Sequence, residues 1–162
     1  MKPTLSDIER ELIAFFVNAA QAIGLPKSIG EIYGLFFATE NPLALDDVIE
    51  RLQISKGSAS QGIRFLRGIN ALNTAYLPGD RRDYFTAETS LRRIADGFIK
   101  ERIIPQLKDG STRLKLLGLQ NQEKLPHLDS RINAIQTWSK KAEMLFPIVS
   151  KFLGAADKTG II

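Results

Sequence analysis

The chain has 162 residues, of which 44% are hydrophobic and 25% charged, with no cysteine and a formal net charge of +4. That length suits one domain with a real core, and the missing cysteines exclude disulfides, thiolate metal sites and thiol redox chemistry. No apolar run approaches the roughly 20 residues of a membrane span, and residues 1–11 lack the apolar centre of a signal peptide. A cytoplasmic protein with no membrane partner is therefore expected.

The charge is unevenly spread. Residues 1–54 hold 4 basic and 8 acidic side chains, residues 55–86 hold 5 and 2, and residues 87–162 hold 13 and 8. The sign changes at residue 55, which suits an anionic partner for the later two segments. A solvated basic surface is the plainer alternative.

Residues 5–23 read as an amphipathic helix, with Ser6 and Glu9 at capping-box spacing. Ile8, Leu12, Phe15, Phe16, Ala19 and Ile23 recur at three- and four-residue steps, a stripe that suits either internal core or a second subunit. Gly24 and Pro26 end it. Ser28, with Glu31 three residues on, opens a second helix. Its Ile29, Ile32, Tyr33, Leu35, Phe36 and Phe37 make it apolar nearly all round, so it is expected to be the buried spine. After the Asn41-Pro42 turn, residues 45–52 form a short third helix, with Asp46 and Asp47 at its positive end. Leu45, Val48, Ile49 and Leu52 should face inward, and Gln53-Ile54 turns the chain into a fourth helix at Ser55.

The fourth helix holds the candidate chemistry. Ile54, Ala59, Ile63 and Leu66 supply a buried edge, which leaves Lys56, Ser58, Ser60, Gln61 and Arg64 to point outward or sideways. Arginine can grip a guanine edge with two bonds, glutamine can pair with adenine, and serine can reach phosphates or bases. Gly57 and Gly62 each weaken a helix by up to about 1 kcal/mol relative to alanine. Their presence points to close backbone approach, to DNA at Gly57 and to a neighbouring helix at Gly62. An ordinary capped surface helix remains the alternative.

Residues 72–77 and 83–87 read as two strands around a turn at residues 78–82. Arg81 and Arg82 sit at its tip, where they can enter a narrow minor groove. Asp80 and Asp83 would repel phosphate, so one of them is expected to orient an arginine through a charge-assisted pair; a solvated salt-bridged turn is the alternative. A polar short helix followed by a hairpin with a cationic tip is the pattern of a winged helix-turn-helix, a mainly α fold with a β-hairpin wing.

Beyond it, capping residues in 86–89 lead into a fifth helix with Leu91, Ile94, Ala95, Phe98 and Ile99 in its stripe, which Pro105 should kink or end. Gly110, Gly118 and Pro126 are expected to break residues 108–127 into one helical piece with frayed joints. His127 is the single histidine, and no clustered carboxylates accompany it, so neither metal nor cofactor is expected. Leu128, Ile132, Ile135, Trp138, Ala142, Leu145, Val149 and Phe152 step along a final helix through Pro147, and the tail from Gly154 is expected to be loose.

Three motifs in this order carry a resemblance: residues 24–34 (Gly24 to Gly34), residues 54–62 (Ile54 to Gly62) and residues 78–84 (Pro78 to Tyr84). On them the chain resembles the MarR family of winged-helix transcriptional regulators, and within it the GbsR-like branch, over residues 23–104. The resemblance implies a homodimer joined by its N- and C-terminal helices. It also implies the fourth helix in the major groove, the hairpin in the minor groove, Arg82 as the entering group and Asp80 as its orienter. Repression relieved by a small effector is the implied activity. In the GbsR-like branch that effector is choline, which suits an aromatic cage. Trp138, Tyr33, Phe36 and Phe37 are read as core instead, and no effector site is assigned.

The organisation expected is an N-terminal dimerisation helix (1–23), a winged helix-turn-helix (24–90), C-terminal dimerisation helices (91–153) and a tail (154–162). No phosphate-binding glycine loop, paired nucleophile or cofactor fingerprint points to an enzyme. The function expected is a dimeric, sequence-specific regulator of double-stranded DNA, a repressor on a palindromic operator. A winged-helix protein–protein interaction module and a non-specific architectural DNA binder are the alternatives.

Overall fold

Local capping chemistry sets the first helix. In α1 (Asp7–Ala22) the Ser6 hydroxyl accepts the Glu9 N–H, and the Glu9 carboxylate accepts the Ser6 N–H at 2.7 Å. Each satisfies an amide that a helix start leaves free. At the other end Gly24, with φ +76, lets Gly24 N–H reach Gln21 O and Leu25 N–H reach Ala20 O, which closes the last turn. The computed structural model describes residues 5–120 and 125–155. Of the tail expected from Gly154, residues 156–162 lie outside the described residues.

α2 (Lys27–Ala38) starts at Pro26 rather than Ser28, and no side chain caps it. Proline's fixed φ suits helix entry, so the helix begins earlier and Ser28 falls inside it. Gly30 and Gly34 then let α1 lie on α2 backbone to backbone. A Cβ on Gly30 would stand 2.5 Å from Phe16 O and Val17 Cα, and one on Gly34 2.7 Å from Ile13 Cα. This seam turns Ile13, Phe16 and Ala20 inward, and leaves Ile8, Phe15 and Ile23 exposed. The buried face of α1 is thus rotated from the stripe read off the sequence. A broad apolar surface does not say which edge faces in; the glycine seam does.

Around α2 the core closes over Phe36, Ile32, Leu35 and Val48, the largest side chains that are fully enclosed. Each contributes roughly 1.5–3 kcal/mol by leaving water. The Phe16 ring meets Tyr33 edge-on at 4.7 Å between centroids. The Tyr33 hydroxyl donates to the Glu88 carbonyl at 2.7 Å, so α2 is tied to the chain leaving the sheet. Burial, and then the Glu88 carboxylate, push the Tyr33 hydroxyl pKa well above its ordinary value.

The strands are β1 (Leu43–Ala44), β2 (Leu72–Ala75) and β3 (Tyr84–Ala87), antiparallel in the order β1-β3-β2. Leu43 faces Phe85, and Thr74 faces Phe85 from the other side. Two residues are too few to show alternation, so β1 has no sequence signature. Tyr76 and Leu77 fall outside the ladder, and Tyr76 is 83% exposed.

By packing, the chain divides into two compact units, Met1–Ile94 and Ala95–Ile162. α5 (Leu91–Phe98) leads through a π-helical turn, Ile99–Ile103, into α6 (Ile104–Gln120), and α7 (Pro126–Ala155) comes after it. The chain stays helical across Pro105, where a kink or an end was expected. Proline strips one rung from the ladder and crowds the preceding turn, and a wider π turn absorbs that change. Gly110 and Gly118 also lie within unbroken helix. Gln136 Nε2 donates to Leu114 O at 3.1 Å across α6 and α7. No described helix is long and apolar enough to cross a membrane, and no described cluster of histidines and carboxylates could hold a metal.

Candidate nucleic-acid interface

Two helices and a hairpin build this surface. α3 (Leu45–Leu52) is held at its start by the Asp47 carboxylate, which accepts the Ala44 N–H at 2.8 Å. Gln53, at φ +56, reverses the chain. α4 (Lys56–Gly68) begins at Ser55, whose hydroxyl accepts the Ser58 N–H at 3.2 Å. Gly62 faces α2, where a Cβ would collide with Ile32 Cδ1. That contact sets the roll of α4 and hence which residues reach the surface. Gly57 is exposed, and the nearest atom to a Cβ there would be Ser55 Oγ at 4.0 Å.

At 100° per residue the outward side of α4 divides in two. Lys56, Ser60, Arg64 and Arg67 line a groove of about 570 Å³ closed on its far side by Arg81, Arg82, Asp83 and Phe85, and bounded below by Ala44, Leu45 and Asp46. Five cations stand there against two carboxylates. Gly57 and Gln61 lie beside the groove on the exposed crest, and Ser58 lies on the other side of the helix, half-buried. So Lys56, Ser60, Arg64, Arg81 and Arg82 are brought together, while Gly57, Ser58 and Gln61 are not among the lining residues.

The hairpin tip is internally locked. Pro78 and Gly79, with Gly79 at φ +86 and Asp80 N–H on Leu77 O at 3.2 Å, make a tight turn. The Arg82 N–H donates to Asp80 Oδ1 at 2.9 Å, Arg82 Nε to Asp80 Oδ2 at 3.1 Å and Nη2 to the same oxygen at 2.7 Å. The Tyr84 hydroxyl also donates to Asp80 Oδ2, at 2.8 Å, and accepts from Arg82 Nη2. The Arg82 guanidinium lies 5.1 Å from the Tyr84 ring centroid. These bonds, from the Arg82 side chain first, hold the Asp80 carboxyl well below the usual carboxylate range, and the same pair raises Arg82 above its ordinary value. The bond to Asp80 likewise raises the Tyr84 hydroxyl.

Lys56, Arg64, Arg67 and Arg81 make no ion pair with any described residue. A concave strip of unneutralised cations beside a protruding hairpin is a surface for a polyanion. Arg67 went unnoticed in the sequence, although it stands three residues after Arg64, seven after Ser60 and eleven after Lys56. That spacing is one helical face, and tracing the face past the first two turns would have found it.

No protein-family profile matches the chain. It is 31% identical over 75 residues to the HTH-type transcriptional repressor GbsR of Bacillus subtilis, covering 46% of this chain and 41% of that protein. With the HTH-type transcriptional repressor OpcR of the same organism it shares 27% over 92 residues, or 54% of this chain and 50% of the other. A crystal structure of a transcriptional regulator superposes with a TM-score of 0.70 at 15% identity, over 93% of this chain and 99% of that one. This is a winged helix-turn-helix protein similar in sequence to the GbsR-like branch of the MarR family. The chain matches about half the length of the two curated relatives or less. In winged-helix terms α3 and α4 are the helix-turn-helix, α4 occupies the position of its second helix, and residues 76–83 are the wing.

Proposed function

We propose that this protein is a transcriptional regulator that binds duplex DNA as a homodimer, acting in the cytoplasm as a repressor by occluding a palindromic operator. The observation that carries the reading is the groove of five cations between α4 and the wing. The recognition helix enters the major groove, with Gln61, Arg64, Lys56 and Ser60 toward the bases and phosphates of its N-terminal half. Gly57 lets the duplex come close to the helix start, and the Ser55 hydroxyl steadies that first turn by accepting the Ser58 backbone N–H. Arg82, oriented by Asp80, enters the adjacent minor groove beside Arg81. Prior orientation matters because a free arginine loses side-chain entropy on binding that a locked one does not.

Homodimerisation is supported by the apolar surface each unit exposes, Ile8, Phe15 and Ile23 on α1 and Trp138, Ile148 and Phe152 on α7. A two-fold dimer reads two half-sites about 34–36 Å apart. Control by a small effector is part of the reading, through release of the operator.

Selection of bound duplexes from a random pool, and then anisotropy titrations, test it. We expect an enriched palindrome, with Arg82→Ala weakening binding to every duplex and flattening its salt dependence, and Gln61→Ala relaxing base preference. Equal affinity for selected and random duplexes would instead make this an architectural DNA binder. No binding at low salt would leave a protein–protein module.

A further inference from the structure

Arg67 lies in the last turn of α4, beyond the half of the recognition helix that meets bases, and nothing in its own helix accounts for it. A basic residue in that position commonly serves the free carbonyls of a helix end. Here three of them are already taken: Asn70 N–H donates to Arg67 O at 3.0 Å, Ala71 N–H to Leu66 O at 2.8 Å and Ile69 N–H to Phe65 O at 3.2 Å. Asn70 turns through φ +58 to make those bonds, so the backbone closes its own end. No described carboxylate pairs with Arg67 either.

What Arg67 does touch is Phe85. Its guanidinium carbon stands 5.3 Å from the ring centroid. Phe85 is 5% exposed and sits on the central strand, paired with Leu43 on one side and Thr74 on the other, so the ring is a fixed platform. A guanidinium held over a ring by its positive charge spends no N–H donor on a hydrogen-bond acceptor there. Arg67 lines the same groove as Arg64 and Arg81, so those donors are available where helix and wing meet.

We propose that Arg67 binds a DNA phosphodiester, held on Phe85 as a planar fork, at the point where one strand's backbone passes from the recognition helix to the wing. The inference rests on the DNA-binding reading and adds a contact to it. A fixed fork suits two phosphate oxygens better than a flexible ammonium does. Its position between two groove-reading elements makes the contact one to backbone, independent of sequence.

The test compares full-length protein and variants on the selected duplex and on a random duplex, by anisotropy over a range of salt. Arg67→Ala is expected to weaken binding to both by about tenfold, as for the loss of one charged hydrogen bond. The slope of affinity against salt should fall by about 1. Arg67→Lys should recover most of the slope and only part of the affinity. Arg67→Gln, which keeps the aliphatic stem over Phe85, serves if alanine unsettles the fold. Wild-type affinity and slope in these variants would overturn the Arg67 contact and leave the DNA reading standing. A change of base preference at unchanged slope would also overturn it, in favour of a base contact. If the wild-type chain binds neither duplex, both proposals fall.

Discussion

In the first unit Phe36, Ile32, Leu35 and Val48 are fully enclosed, and short helices fold back around α2. In the second, the only described residues that are buried are Gly97 and Ser150. Trp138, expected in the core, is 75% exposed because it lies at the edge of the seam of α6 and α7, and Ile148 and Phe152 are 65% and 76% exposed. Both units are rich in leucine and isoleucine, so composition does not separate them. Geometry does. Two long helices such as α6 and α7 bury only the seam they share, and the apolar residues around that seam are left facing water. The first unit encloses its own core; the second presents a surface that a subunit can cover.

The largest effect should come from charging that surface. The double change Trp138→Glu with Ile148→Glu places two carboxylates where the proposed dimer buries apolar area, a strongly unfavourable exchange. We expect sedimentation to show monomer at concentrations where the parent is dimeric, with DNA affinity falling alongside. A dimer that persists would remove α7 from the interface and break the contrast between the units.

Next in size are the glycines that position the first unit's helices. Gly30→Ala sets a Cβ against the α1 backbone, which has no rotamer with which to yield, and should cost about 3 kcal/mol or more in urea unfolding. Gly62→Ala meets the end of the Ile32 side chain, which can turn away, and gains some helix propensity. A net loss of about 1 kcal/mol or less is expected there. Equal losses would mean that α2 and α4 are as tightly registered as α1 and α2.

The smallest effect belongs to Glu9. Its bond from the Ser6 amide, and then those from Arg51, lower its carboxyl below the ordinary value despite partial burial. Arg51 Nη2 donates to Glu9 Oε1 at 2.6 Å and Nη1 to Thr39 Oγ1 at 3.0 Å, so one guanidinium links α1, α2 and α3. A carboxyl that titrates lower in the folded chain than in the unfolded one stabilises the fold above about pH 4.3, its unfolded value. That contribution is lost as pH falls through the folded value. Denaturation of the parent and of Glu9→Gln should therefore converge in acid and diverge toward neutrality. Parallel curves would assign Glu9 no net linkage to folding.

Much of the site was legible because its signals are local. Ser55 caps α4 within three residues, Pro78-Gly79 dictates a turn, and Asp80 lies two residues from the arginine it holds. The strand-forming side chains Tyr84, Phe85 and Thr86 sufficed for a strand. Other features have no local signature: β1 is two residues long, and the π turn before Pro105 answers a strain that propensity does not describe.

The caps at Ser6 and Ser55, the Pro78-Gly79 turn, the candidate residues of α4 and the cationic hairpin are already written in the chain, because each depends on groups a few bonds apart. How those pieces face follows from packing between distant segments. Gly30 and Gly34 chose which edge of α1 is buried, and Gly62 against Ile32 set the roll of α4. That roll put Lys56, Ser60, Arg64 and Arg67 in one groove with the wing while Ser58 turned away. Phe85, eighteen positions further along the chain, made a platform of what reads in sequence as an ordinary arginine at the end of a helix. Helical periodicity says which residues share a face, but the direction of that face depends on close contacts between distant segments.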